Sequence, residues 1–145
     1  MRVTFPRLPD HERAWALVER DDGVVYRLYG GAAGPRLPHD IMHLVVEREL
    51  RISDGIWAGI AAGAPAGPPD PRAELLADLV SSAAALDTMT LDKIKRLTAT
   101  KLSVLPDTDV DPVAVAVAAR ALQVEAARWA RLRVGEELSY DWPGK

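Results

Sequence analysis

Two of the chain's three histidines stand four residues apart in Leu37-Pro38-His39-Asp40-Ile41-Met42-His43-Leu44-Val45-Val46-Glu47, with an aspartate between them and a glutamate one turn further on. On a helix, His39 and His43 lie about 40° apart around the axis and roughly 6 Å apart along it, a spacing that suits two imidazoles on one ion. The pattern is H-D-x-x-H, and Asp40 stands where the H-E-x-x-H metalloproteases carry their general base. In the functional reading His39 and His43 hold a divalent cation, zinc before others, while Asp40 orients a ligand or serves as catalytic base on water at the ion. In the structural reading Asp40 simply complements the positive end of the helix dipole, or is itself the N-cap. If it is the cap, His39 lies outside the helix and the shared face is lost.

A third ligand is harder to place. Glu47 is about 12 Å along the axis from His39, yet its side chain leans toward the helix start and reaches an ion held chiefly by His43. Its plainer role is an exposed charge paired with Arg51 at i+4. His11 and Asp54 are the other candidates, and both also read as solvated loop residues.

The elements that must position these residues are legible from periodicity. Ala14 to Arg20 and Val24 to Tyr29 are β-rich runs joined across Asp21-Asp22-Gly23, a hairpin signal. Val3-Thr4-Phe5 before Pro6 reads as a short edge strand, and Glu137 to Trp142 alternates as a half-buried terminal strand does. Pro38 opens a helix on which Ile41, Leu44, Val45, Arg48 and Ile52 recur at helical spacing. Ser53-Asp54 reads as the cap of a short helix from Gly55 to Ala62, and Gly63 to Pro71 as a surface loop. Leu75, Leu76, Leu79, Val80 and Ala83 form one apolar stripe; Leu91, Ile94, Leu97 and Leu102, capped by Thr90, form a second. Asp111-Pro112 begins a long Ala/Val-rich helix to about Arg133, ended by Gly135. The fold class is therefore α+β: a small antiparallel sheet of the hairpin plus terminal strands, packed on four or five helices in one domain spanning residues 1–145.

Composition excludes several function classes. The 18 basic and 21 acidic side chains are interspersed, so no electrostatic footprint marks a nucleic-acid partner or an anionic membrane. Lys93, Lys95, Arg96 and Lys101 cluster without aromatics and read as a solvated helix face. Without cysteine, a transition-metal site must use His, Asp, Glu or oxygen donors. No serine sits in G-x-S-x-G, and the glycines form neither a dinucleotide fingerprint nor a phosphate loop. The amino terminus lacks an apolar h-region and the most apolar stretch, Ile41 to Ala62, is broken by five charges, which points to a cytoplasmic protein without a membrane partner. Trp15, Trp57, Trp129 and Trp142 read as core residues, with Trp57 placed to wall a pocket near the motif.

The L-P-H-D-x-x-H-x-x-V-E segment at Leu37 to Glu47, followed by Asp54-Gly55-Ile56-Trp57 and Ala61-Ala62-Gly63-Ala64, resembles a group of small uncharacterised actinobacterial proteins, a likeness that implies no activity. Its H-D-x-x-H core is similar to that of the coenzyme Q biosynthesis protein 4 family. There the motif implies metal binding by two histidines and the aspartate with a later glutamate, whereas the corresponding region here holds Asp54 and Gly55, and the hairpin is foreign to that helical fold. Two functions follow as expectations. One is a metal-dependent, hydrolase-like enzyme acting on a small carbonyl- or ester-like molecule; the other is a non-catalytic interaction or assembly domain in which the motif is structural.

Overall fold

The computed structural model describes residues 1–65 and 70–143. Four strands, β1 (Arg2–Pro6), β2 (Arg13–Glu19), β3 (Val25–Ala32) and β4 (Glu137–Asp141), form one antiparallel sheet in the order β3-β2-β1-β4. The described residues also form five helices: α1 (His39–Glu49), α2 (Ile56–Ala61), α3 (Pro71–Ala84), α4 (Leu91–Leu102) and α5 (Pro112–Arg131). This is the α+β arrangement expected from strand pattern followed by helix pattern.

Alternation places Val3, Phe5, Ala16, Val18, Leu138 and Tyr140 on one face of the sheet, where they join the apolar sides of the helices in one core. The registers Val3↔Val18, Val3↔Tyr140 and Phe5↔Leu138 put these side chains beside one another. On the opposite face cross-strand pairs stack instead, with the Arg27 guanidinium 4.2 Å from the Trp15 ring and that of Arg13 4.7 Å from Tyr29. The hairpin turns at Gly23, whose φ of 87° suits a residue without Cβ.

Three helix starts are capped by side chains: Asp70 accepts from Arg72 N–H, Thr90 from Lys93 N–H and Asp111 from Val113 N–H. The long α5 lies against α1, α3 and α4, burying Val115, Ala118, Ala119, Leu122 and Trp129.

Several expectations need correction. The amino-terminal strand is not an edge: β1 lies between β2 and β4, and Pro6 is tolerated because it occupies the last rung. The short helix is capped by Gly55 and not by Ser53-Asp54; Asp54 instead pairs with Arg72 at 3.3 Å. The long helix stops at Arg131 with an extended Leu132, and Gly135, at φ 97°, makes the later turn into β4 by donating its N–H to Arg7 O. The Gly63–Pro71 loop lies partly outside the described residues, at 66–69. No described helix is long and apolar enough to cross a membrane.

Candidate metal centre

α1 begins at His39 with Pro38 as N-cap, so Asp40 is not the cap and both histidines are helical. Proline offers the start a preset φ but no capping side chain, and none replaces it. The i, i+4 relation then brings the imidazoles together: their Nε2 atoms are 3.0 Å apart and their rings meet edge-on at 68°. His43 is completely buried, whereas the His39 side chain is 64% exposed.

The carboxylate that joins the pair is Glu74, from the first turn of α3. Its Oε2 lies 3.3 Å from His43 Nε2 and its Oε1 4.0 Å from His39 Nε2, and the side chain is half exposed. Two donors on a tetrahedral zinc ion with bonds of about 2.0–2.1 Å stand roughly 3.3 Å apart. The three ligand atoms, all within 4.8 Å of one another, therefore form a group that could hold a metal ion with small side-chain adjustments.

Glu47, expected as a ligand, is placed differently. Its carboxylate reaches the other nitrogen of His43, with Oε2 at 3.3 Å from Nδ1, while Oε1 accepts the backbone N–H of Trp57 at 3.0 Å. It is fully buried and makes no pair with Arg51 among the described residues. When His43 is neutral, a proton on Nδ1 lets it donate to Glu47 and leaves the Nε2 lone pair facing His39 and Glu74.

The local backbone explains how Glu47 is held. α1 ends in a Schellman turn, Ile52 N–H to Glu47 O at 2.8 Å and Arg51 N–H to Arg48 O at 3.3 Å, with Arg51 in the left-handed region at φ 53°. The reversed chain then passes directly over Glu47. A Cβ at residue 55 would overlap the Glu47 carboxyl group, so only glycine permits the approach. Trp57 follows, fully buried, and fastens α1 twice, through its own N–H to Glu47 and through indole Nε1 to Asp40 O at 3.1 Å. The sequence reading of Trp57 as a packing residue near the motif holds, with two polar anchors in addition.

Charge is concentrated on this end of α1. Burial opposes the cationic form of His43, yet Glu47, Glu74 and Asp40 together outweigh it and hold its pKa above the usual imidazole range. Burial raises the Asp40 carboxyl against the pull of His39 and His43. Asp40 is not among the three clustered donors: its Oδ2 faces β3, 3.1 Å from where a Cβ on Gly30 would sit. Of the remaining candidates, His11 is exposed in a loop, its N–H bonded to Ala33 O, and Asp54 is held by Arg72.

Beside the centre lies a cleft of about 390 Å³, bounded by Phe5, Trp15, Gly30, Leu37 and Trp129. The ionisable residues that line it are Arg36, His39 and Asp40, so His39 belongs both to the donor group and to the cleft.

Glu74 carried no signal in the sequence that set it apart. An acidic residue in the first turn of a capped helix is ordinary dipole complementation. Comparison with known proteins adds nothing to the site, because no family model, curated protein or solved structure matches the chain.

Proposed function

We propose that the protein binds a divalent metal ion, zinc before others, through His39 Nε2, His43 Nε2 and Glu74, and uses it in chemistry on a small carbonyl- or ester-like molecule. The observation that carries the reading is the 3.0 Å approach of two Nε2 atoms beside a carboxylate, with the far nitrogen of the buried ring bound to Glu47. Nitrogens so close share either a proton or a cation. Three protein donors, two of them on half-open side chains, match a catalytic site better than a closed structural one of four.

The ion supplies Lewis acidity to a carbonyl oxygen when bound. Glu47 fixes the tautomer and angle of His43 and is a positioning residue rather than a ligand. Asp40 faces the cleft and orients substrate or water there, a role its short reach suits better than direct general-base action. The H-D-x-x-H likeness supports the reading at the level of the motif, and Glu74 supplies from α3 a glutamate where the corresponding region after the motif holds Asp54 and Gly55.

The test is titration of untagged protein with zinc chloride by calorimetry. Near-stoichiometric binding is expected in the wild type and its loss in His43→Ala, with Glu74→Gln weakened by at least tenfold. Unchanged zinc binding in His43→Ala overturns the site, and absence of binding in the wild type leaves the interaction-domain reading in its place.

A further inference from the structure

The sheet has a second face, and its residues do not compose an ordinary solvated surface. The alternation that sends Val3, Ala16 and Val18 to the core sends Trp15, Leu17, Val25 and Tyr29 the other way, and none of these four belongs to the core or packs against it. Val25 and Tyr29 are 57% and 48% exposed. An antiparallel sheet that shows one face to water normally carries polar residues there. The cations on this face, Arg2, Arg13 and Arg27, are all arginines, and the last two are held over the rings of Tyr29 and Trp15. Tryptophan, tyrosine and arginine are the residues enriched where proteins meet.

The strand registers set the charges in rows. One row reads Val25, Glu19, Arg2, Asp141 across the four strands, and the next reads Arg27, Leu17, Thr4, Ser139. The third has Tyr29 with Trp15 on one side and Pro6 with Glu137 on the other. Both stacked guanidiniums lie over the Tyr29–Trp15 side of that third row. The β3 side of the face is therefore basic, and the β4 edge, with Glu137 and Asp141, is acidic.

We propose that this face pairs with the same face of a second copy, about a two-fold axis parallel to the strands. Such an axis, above the seam between β1 and β2, reverses the strand order and keeps every row at its own height, so β3 of one copy lies opposite β4 of the other. It also keeps the strand directions aligned, as packed sheets prefer. Glu19 then faces the partner's Arg2, Arg13 and Arg27 face the partner's Glu137, and Trp15 meets the partner's Pro6. Each contact occurs twice. A two-fold axis across the strands would instead lay one basic side on the other, against electrostatic complementarity. Single-stranded nucleic acid is the other class that uses aromatic, basic sheet faces, and Glu19, Glu137 and Asp141 on this one repel it. Four strands about 4.8 Å apart make a face roughly 19 Å wide, at the low end of interface sizes, so the dimer should be weak and reversible.

Sedimentation equilibrium of the full chain from about 5 to 500 μM should show a monomer–dimer equilibrium in the micromolar range. Arg27→Glu and Glu137→Arg alter opposite edges of one copy, and each should weaken self-association at least tenfold. Mixed one to one, the two variants should associate about as well as wild type, since both reciprocal contacts again join opposite charges. Recovery in the mixture requires that both variants are folded; if either loses the wild-type circular dichroism spectrum, Arg2→Glu mixed with Glu19→Arg repeats the test at the central contact. A wild type that stays monomeric, variants that associate as wild type does, or a mixture of folded variants no tighter than either alone would overturn the proposal. So would a monomeric wild type whose binding of fluorescent oligothymidylate is lost in Arg27→Glu, an outcome that gives the face to nucleic acid.

Discussion

The protein buries two glutamates on helices that pack against each other, and their surroundings differ in kind. Glu125 on α5 accepts the Tyr140 hydroxyl at 2.6 Å and a forked contact from Arg128 at 2.8 and 2.9 Å, so its charge is answered by neighbours committed to it. The same contact, after the larger effect of burial, holds the Tyr140 hydroxyl far above its ordinary range, neutral at any physiological pH. Among the described residues Glu47 on α1 pairs with no arginine or lysine and meets a backbone N–H and one nitrogen of His43. The other nitrogen of that ring opens onto His39 and Glu74. One network closes on itself and fastens β4 to α5; the other ends at a group of donors that could hold a cation. A buried charge paired within the fold serves stability, and one whose partner is a titratable ring with a free end is poised for a ligand.

The largest expected effect tests that contrast directly. Glu47→Ala strands the Trp57 N–H and leaves His43 without its buried partner, a loss of about 3–5 kcal/mol by analogy with broken buried pairs. Glu125→Ala, beside a half-exposed Arg128, should cost about 1.5–3 kcal/mol, the range for a hydrogen bond to a charged group. Urea unfolding measures both. The comparison breaks if Glu125→Ala weakens zinc binding as much as Glu47→Ala does, since the closed network should leave the metal centre untouched.

A smaller change probes the same region without deleting any polar group. Gly55→Ala forces the Glu47 carboxyl and the backbone apart, with an overpacking cost of about 1–3 kcal/mol. Because Glu47 sets the orientation of His43, zinc affinity should fall by about 10–100-fold although no ligand is altered. Glycine at 135, whose N–H is bonded to Arg7 O and where an added Cβ meets nothing, is the control: Gly135→Ala is strained by its φ of 97° but should leave zinc affinity unchanged. Equal zinc affinity in Gly55→Ala and wild type would show that Glu47 does not position the ligand.

How much of this was legible follows from the range of each interaction. His39, Asp40 and His43 could be assembled from the sequence because a helix makes i, i+4 neighbours by its own period. Glu47 could be singled out but not assigned: whether it faces the shared side of the ring pair or its far nitrogen depends on a chain reversal at Arg51 that no local rule marks, since glycine is the usual residue there. Gly55 looked like part of a helix start because its real constraint, the carboxyl beneath it, comes from eight residues earlier in the chain. Glu74 was invisible because α3 reaches α1 only through tertiary packing around α5. The sheet was legible in its alternation, while the central position of β1 was not, because Pro6 reads as an edge residue unless its place on the last rung is known.

The smallest effect per step is the dependence on pH, and here metal-free stability and zinc affinity should part in sign. His43 is held above the ordinary imidazole pKa in the metal-free protein by Glu47, Glu74 and Asp40, against its burial. Its contribution to metal-free stability is therefore complete below the unfolded value of about 6.5 and is lost as pH rises through the higher folded value. Zinc needs the same Nε2 unprotonated, so its affinity should run the other way, dropping about tenfold, or about 1.4 kcal/mol, for each unit of pH below that folded value. Glu125→Gln alters none of the carboxylates that raise His43, so it should preserve both slopes. Glu74→Gln removes one of the carboxylates that raise His43 and should move both slopes to lower pH. Calorimetric zinc titrations and urea unfolding at pH 6, 7 and 8 measure the pair of slopes, and a zinc affinity flat across that window would rule out His43 as a ligand.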